Sequence, residues 1–269
     1  MVWHNPHDRC AQLTGVAAVR RTSGVVSSPV TKLYGTDFYE RIALGSSRSA
    51  EIILPPLVER FEVTSAVDVG CGAASWLASL QQLGINDVTG IDGPWALGDT
   101  LRIGPENFVE CDLSAAFPQI DRRFDLALCT EVAEHLPSEK SEGIVELLCS
   151  LSDVVVFSAA IPFQGGIGHI NQQWQSFWAD LFRARGYGTL DIVRPAVWTN
   201  SEVEFWYRQN LLVFANGAPD DVAMIDVIHP AMAERGLSRS KHPAELFARR
   251  QAAKARQVTS VMLDRLRGN

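Results

Sequence analysis

Residues 66–76 read Ala66-Val67-Asp68-Val69-Gly70-Cys71-Gly72-Ala73-Ala74-Ser75-Trp76. A short apolar run with β-branched residues ends in an acid, opens into Gly-x-Gly and continues as an amphipathic segment. That is the pattern of a buried strand, a tight turn and a helix start. Gly70 and Gly72 permit backbone angles and close approaches that a Cβ would block. The N–H groups at the start of the helix can then face a polar or anionic ligand. Ala74 stands where a third glycine would complete the dinucleotide fingerprint, so the turn alone leaves nucleotide binding open.

Further along, Asp87-Val88-Thr89-Gly90-Ile91-Asp92 is a second strand ending in an acid. Asp92 follows the glycines by about twenty residues, the spacing of a carboxylate that grips ribose hydroxyls. Asn107-Phe108-Val109-Glu110-Cys111-Asp112-Leu113 is a third strand with an acid at its end. Phe124-Asp125-Leu126-Ala127-Leu128-Cys129 is a fourth and runs into Thr130-Glu131-Val132-Ala133-Glu134-His135-Leu136-Pro137. Residues 154–160 are almost continuously apolar, as a strand covered on both faces should be. Helices are expected at 46–61, broken by Pro55-Pro56, at 75–83, from Pro137 or Ser138 through Leu151, and at 173–185. Two last strands are expected at 187–193 and 205–214. Repeated strand–helix alternation predicts an α/β fold, doubly wound and mostly parallel, with right-handed crossovers. Ligands then sit at the carboxyl ends of the strands, where the acids lie.

Val-Asp-Val-Gly-Cys-Gly, Gly-Ile-Asp, Cys-Asp-Leu and Phe-Asp-Leu-Ala-Leu-Cys…Glu-His-Leu-Pro occur here in an order and spacing that resembles the class I S-adenosylmethionine-dependent methyltransferases. The resemblance implies a Rossmann-like, seven-stranded sheet with an N-terminal helical cap, and it leaves a C-terminal helical tail outside it. It implies S-adenosyl-L-methionine as cofactor. The residues it points to are Tyr39, Asp68, Gly70, Cys71, Gly72, Asp92, Gly93, Cys111, Asp112, Leu113 and Glu131. In that assignment Gly70 and Gly72 let the backbone approach, Asp68 orients the amino end, Asp92 takes the ribose diol and Asp112 the adenine amino group. Tyr39 lies near the cofactor or only packs its helix to the body. Trp95 is placed to flank the adenine.

An oxygen acceptor has to lose its proton as the methyl arrives, and imidazole is the side chain best poised to take it near neutrality. His135 follows strand four and His169 lies in Gln164-Gly165-Gly166-Ile167-Gly168-His169-Ile170-Asn171-Gln172-Gln173-Trp174, too polar and glycine-rich for mere core. The loop resembles one in a largely uncharacterised group of bacterial methyltransferases associated with saccharide or natural-product pathways. His169 and His135 are the catalytic candidates. Each could instead pin its own loop by hydrogen bonds. Asn171 and Gln172 could bond acceptor hydroxyls, and Trp174 could stack on a ring, although core packing explains most of Trp174, Trp178, Trp198 and Trp206. No resident metal is expected. Glu131, Glu134, His135 and His169 could gather a divalent ion, as in some sugar methyltransferases, but spacing alone does not give that geometry.

Length and composition bound these readings. The chain has 269 residues, 46% hydrophobic and 20% charged, enough for a sizeable core. A net charge of −7 argues against a broad nucleic-acid footprint, and no apolar run approaches membrane-spanning length. The first residues lack the apolar core of a secretory signal. Cys10, Cys71, Cys111, Cys129 and Cys149 are scattered, without Cys-x-x-Cys spacing, and read as reduced residues of a cytoplasmic protein. The expected division is an arm at 1–33, the methyltransferase domain at 34–215 and a helical extension at 216–269. Its amphipathic stretch 244–267 suits packing on the body or on a second subunit of a homodimer. The expected activity is methyl transfer to a hydroxyl of a small-molecule acceptor, a saccharide or secondary metabolite. The alternatives are transfer to an amine of a similar acceptor and a non-catalytic cofactor-binding protein. A dinucleotide oxidoreductase is disfavoured, because Asp68 precedes the glycines and the third glycine is absent.

Overall fold

The structure is a computed structural model that describes residues 36–96 and 100–232, with side chains from Leu44 onward. In chain order the main elements are α1 (Thr36–Phe61), β1 (Ser65–Val69), α2 (Ser75–Gln82), β2 (Asp87–Asp92), β3 (Phe108–Glu110), β4 (Leu126–Thr130) and α3 (Ser141–Leu151). They continue with β5 (Val154–Ser158), α4 (Gln175–Arg183), β6 (Tyr187–Leu190), α5 (Arg194–Val197), α6 (Phe205–Asn210) and β7 (Leu212–Asn216). The strands form one sheet of seven in the order β3-β2-β1-β4-β5-β7-β6. All neighbours are parallel except β7, which runs antiparallel between β5 and β6. The expected doubly wound, mostly parallel Rossmann-like sheet is therefore present.

Alternation along the strands divides the core into two layers. Ala66, Leu126, Leu128, Val156 and Val213 face the side covered by Ile53, Leu54 and Leu57 of α1, Trp76, Leu77 and Leu80 of α2, and Tyr207 of α6. Val67, Val69, Ala127, Cys129, Val155, Phe157 and Phe214 face the other side, under Ile144 and Leu148 of α3 and Trp178 and Phe182 of α4. A strand clothed on both faces needs apolar residues at every position, which is why β4 and β5 carry no polar residue until their last positions. Because the helices take both faces, the carboxyl edge of β1, β2, β4 and β5 is left for ligands.

Two expectations about elements are corrected. The stretch 205–214 is not one strand: it is the helix α6 followed by β7. Aromatic residues favour strands, but here packing overrides that preference. Tyr207 meets Trp76 edge-on with ring centroids 5.2 Å apart, and its hydroxyl lies 3.0 Å from Ser46 Oγ. The N–H of Glu204, just before α6, donates to Ser49 Oγ at 3.0 Å. Nor does α1 break at Pro55-Pro56; it runs through both prolines to Phe61. Burial of Ile53, Leu54 and Leu57 holds that turn in place despite the lost N–H donors. Tyr39's side chain, the arm at 1–33 and the tail helix 244–267 lie outside the described residues.

The chain divides into compact units Met1–Val227 and Ile228–Asn269. Within the second, Ala231 N–H donates to His229 Nδ1 at 3.1 Å and Met232 N–H to the His229 carbonyl at 2.9 Å. In the first, Arg194 is 2% exposed and its guanidinium donates to both Asp191 oxygens and to the carbonyls of Met224 and Ile225. Among the described residues, the cysteines are free, with Cys71, Cys111 and Cys129 buried. No described helix is long and apolar enough to cross a membrane.

Asp125 clasps the entries of β1 and β4. Its Oδ2 accepts from Thr64 N–H, Thr64 Oγ1, Ser65 N–H and Ser65 Oγ at 2.6–3.0 Å. These donors, the Thr64 hydroxyl first, hold its carboxyl below the usual carboxylate range. An acid with a lowered folded pKa stabilises the fold above its unfolded pKa, and that contribution is lost as pH falls through the folded value. Asp125→Asn is therefore expected to lower Tm at neutral pH and to narrow its gap from wild type near pH 3; denaturation followed at both pH values checks this. A gap that stays constant would refute it.

Candidate active site

The turn after β1 is built by its glycines. Gly70 adopts φ +81°, and a Cβ there would collide with the Val132 side chain. The glycine thus lets the turn close onto the segment after β4. Gly70 and Cys71 N–H groups both donate to the Ile91 carbonyl, at 2.7 and 3.1 Å. Gly72 N–H donates to Asp92 Oδ2 and Gly93 N–H to Asp92 Oδ1, each at 2.7 Å. Asp92 at the end of β2 therefore joins two turns, and space beside Gly72 is open. Burial raises the Asp92 pKa, against the backbone bonds from Gly72 and Gly93 that lower it. Trp95, 44% exposed, also hydrogen-bonds Asp92 and packs over Gly93.

Asp68 is 2% exposed, and its Oδ1 has no hydrogen-bond partner. Burial, reinforced by the charge of Asp92, pushes its pKa up to about 8. An orphaned buried carboxylate oxygen beside an open glycine turn suits a ligand that brings a cation. Together with Asp92 it fits the amino and ribose ends of S-adenosylmethionine. The Cys71 side chain is buried beside Gly90, so its backbone alone is available to the turn. Cys111 N–H donates to the Asp92 carbonyl at 2.7 Å, and its thiol is buried. Asp112 Oδ1 accepts from Ser114 N–H and Oγ, at 2.9 and 2.6 Å. Leu113 is core, so any part it plays falls to its backbone.

A second group of side chains gathers after β4 and β5. Glu131, at φ +56°, accepts from Asn210 Nδ2 at 3.1 Å and from Gln164 Nε2 at 3.2 Å. Asn210 and Gln209 amides also donate to Gln164 Oε1, at 2.9 and 3.0 Å. Glu134, on the 3₁₀ turn Ala133–His135, is fully buried. Its Oε1 accepts from Ala160 N–H at 3.1 Å, its carbonyl accepts from Ile170 and Asn171 N–H, Oε2 has no N–H donor, and its carboxyl also hydrogen-bonds that of Glu131. Burial raises the pKa of both acids, and the charge of Glu131 raises Glu134 further. His135 and His169 meet edge-to-face, ring centroids 4.7 Å apart, and His169 Nε2 lies 4.0 Å from Glu134 Oε1. Burial, then the neighbouring His135, pushes the His169 pKa down to about 4, so its ring is neutral at ordinary pH.

The structure thus brings His135 and His169 together, and sets Glu131 against the amides of Gln164 and Asn210 instead of leaving it free. It separates Asn171 from the expected acceptor contacts. This residue is 2% exposed, donates to the Ala133 carbonyl and Ser141 Oγ, and accepts from Gln173 Nε2. Asn171 pins the loop. Gln172 Nε2 turns back to His169 Nδ1 and the Gly165 carbonyl, both at 3.4 Å. Trp174 is half-buried at the start of α4. Sequence reading missed Gln164 as a partner of Glu131; its only signal was a polar residue opening a glycine run after an apolar strand. Asn210 was misplaced on a strand.

Residues 67–149 match the protein family described as "Methyltransferase domain". No curated protein is similar enough to count as a relative. Among solved structures, a sugar N-methyltransferase from a Streptoalloteichus species is 17% identical, with 76% of this chain and 100% of that one covered at a TM-score of 0.54. The plantazolicin methyltransferase BpumL, in complex with SAH, is 18% identical over 71% of this chain and 91% of that one at a TM-score of 0.50. At such identities the likeness is one of fold. The family match runs from β1 almost to the end of α3, the stretch that holds the glycine turn and the acids, and on that ground this stretch is a methyltransferase domain.

Proposed function

We propose that the enzyme moves a methyl group to a hydroxyl of a small acceptor, a saccharide or secondary metabolite. The observation that carries this reading is the contact of Gly70 with Val132. It sets the cofactor turn directly beside Glu131, Glu134 and His135, with His169 delivered from the loop after β5. S-adenosylmethionine supplies an electrophilic methyl group on a sulfonium. The turn at 70–72, Asp68 and Asp92 would hold it, with Asp112 at the adenine end. The chain's own contribution is alignment and a proton acceptor. Holding two reactants in line is worth roughly 7–11 kcal/mol of barrier. His169 is a neutral imidazole in the polar cluster and takes the proton of the acceptor hydroxyl. Exposed Phe163 and Ile170 give the loop an apolar rim suited to the non-polar face of a sugar or an aromatic ring.

The test starts on the cofactor side. Calorimetric titration should show S-adenosylmethionine and its demethylated product binding in preference to NAD; tighter NAD binding would sink the reading. Asp92→Ala is expected to weaken S-adenosylmethionine by about 1.5–3 kcal/mol, the range of hydrogen bonds to a charged group. Acceptor screening by mass shift of sugars and aromatic alcohols then tests the hydroxyl assignment.

A further inference from the structure

We infer that Glu134, His135 and His169 form a binding site for one divalent transition-metal ion. Each offers a ligand atom, and the three atoms lie within 4.8 Å of one another. Two imidazoles and one carboxylate are a donor set suited to manganese, iron, cobalt or zinc rather than calcium. Metal–nitrogen bonds of about 2.0–2.1 Å bring neighbouring ligands to about 3 Å, so each group has to draw in by about 1 Å or less. That is within side-chain rotation for His135, at the surface, and for His169, on a glycine-rich loop.

The surroundings suit a cation independently of that clustering. Glu134 is fully buried, its carboxyl lies against the two rings, Oε2 has no N–H donor, and the carboxyl of Glu131 hydrogen-bonds it, so that two acids meet without a cation between them. Among the described residues, no lysine or arginine forms an ion pair with Glu131 or Glu134. Two of the three groups are oriented by a further hydrogen bond, as ligands of a metal site are. His135 donates from its ring to the Gly168 carbonyl, and Ala160 N–H donates to Glu134 Oε1. A Cβ on Gly166 would collide with the His169 ring, so the glycine lets the loop close this far onto the cluster. Three ligands leave open positions on the ion for oxygen atoms of an acceptor.

This inference deepens the proposed function and rests on it for the acceptor's position. A cation there would make an acceptor hydroxyl easier to ionise. The proton would leave to solvent, the oxygen would form the new bond to the methyl carbon, and the carbon–sulfur pair would remain on sulfur as a neutral thioether. His169 would serve as a ligand while an ion is bound and as the proton acceptor of the metal-free site.

Binding tests the site without any acceptor. The full chain, dialysed against a chelator, is titrated with Mn²⁺, and unbound Mn²⁺ is followed by electron paramagnetic resonance. One bound ion per chain is expected, displaced by Zn²⁺, with affinity at least tenfold lower in His169→Ala, His135→Gln and Glu134→Gln. Thermal melting and S-adenosylmethionine titration of the same samples show that the variants are folded. If the folded wild type binds neither Mn²⁺ nor Zn²⁺, or a folded His135→Gln/His169→Gln double variant binds them as well as wild type does, the inference falls. S-adenosylmethionine binding that survives such a result leaves the methyltransferase reading standing; loss of both would overturn that reading as well.

Discussion

His169→Ala is expected to lower turnover by about 10²- to 10⁴-fold, the contribution of a positioned proton acceptor, while leaving affinity for S-adenosylmethionine unchanged. The ring sits in the loop after β5, on a different element from the glycine turn and the acids proposed to hold the cofactor. A pKa of about 4 makes His169 a weak base, yet a sufficient one. Methyl transfer to a neutral hydroxyl generates a protonated ether, a far stronger acid than an imidazolium. The depressed value also keeps the lone pair free over the whole neutral range. With wild-type enzyme the acid limb of the rate profile should therefore fall near pH 4 rather than near 6.5. Near-normal turnover by His169→Ala would refute the base assignment and favour an amine acceptor, whose lone pair needs no strong base. If the cation site is filled during turnover, chelation of the wild type should reproduce the loss, and the variant should lose nothing further.

Asp68→Asn should separate stability from binding. In the ligand-free fold Asp68 resists ionisation until about pH 8, whereas the unfolded chain ionises it near pH 4. Between those values the native state holds the extra proton, so this residue makes stability fall with pH, by up to about 1.4 kcal/mol per unit. Asparagine removes that slope. The variant should gain Tm relative to wild type as pH rises from 5 to 8, although it loses about tenfold or more in affinity for S-adenosylmethionine, as for a lost hydrogen bond to a charged group. Binding of the ligand's ammonium to wild type should also release close to one proton near pH 6. Calorimetry in buffers of different ionisation enthalpy measures that release directly. A pH-independent heat, with Asp68→Asn binding normally, would show that the carboxylate does not face the ligand's cation.

The cofactor half was legible because its signals are local. Asp68, Asp92 and Asp112 each end or closely follow a strand, and the fold carries such positions to one edge whatever the helices do. The acceptor half was legible only in outline. The glycine-rich run around His169 marked a functional loop, but its polar residues could not be sorted by direction. Asn171 and Gln172 are adjacent, yet the first is used against Ala133 and Ser141 and the second against His169. The partners of Glu131 come from Gln164 and Asn210, and nothing in the intervening sequence announces such long-range contacts. The misread strand at 205–214 has the same origin. Trp206 and Tyr207 favour a strand locally, and only Trp76 and Ser46, far upstream, make a helix the better packing.

The strand β4 ends at a seam between two stretches of chain with different histories open to them. Everything proposed for the cofactor lies before residue 132, whereas the loop at 161–174 and the helix α6 follow β5. A duplicated copy can therefore replace those later segments, and with them its acceptor, while inheriting the donor pocket whole. One constraint on such an exchange is Glu131: an incoming loop and helix must bring amides to replace Gln164 and Asn210, or leave a buried carboxylate short of donors.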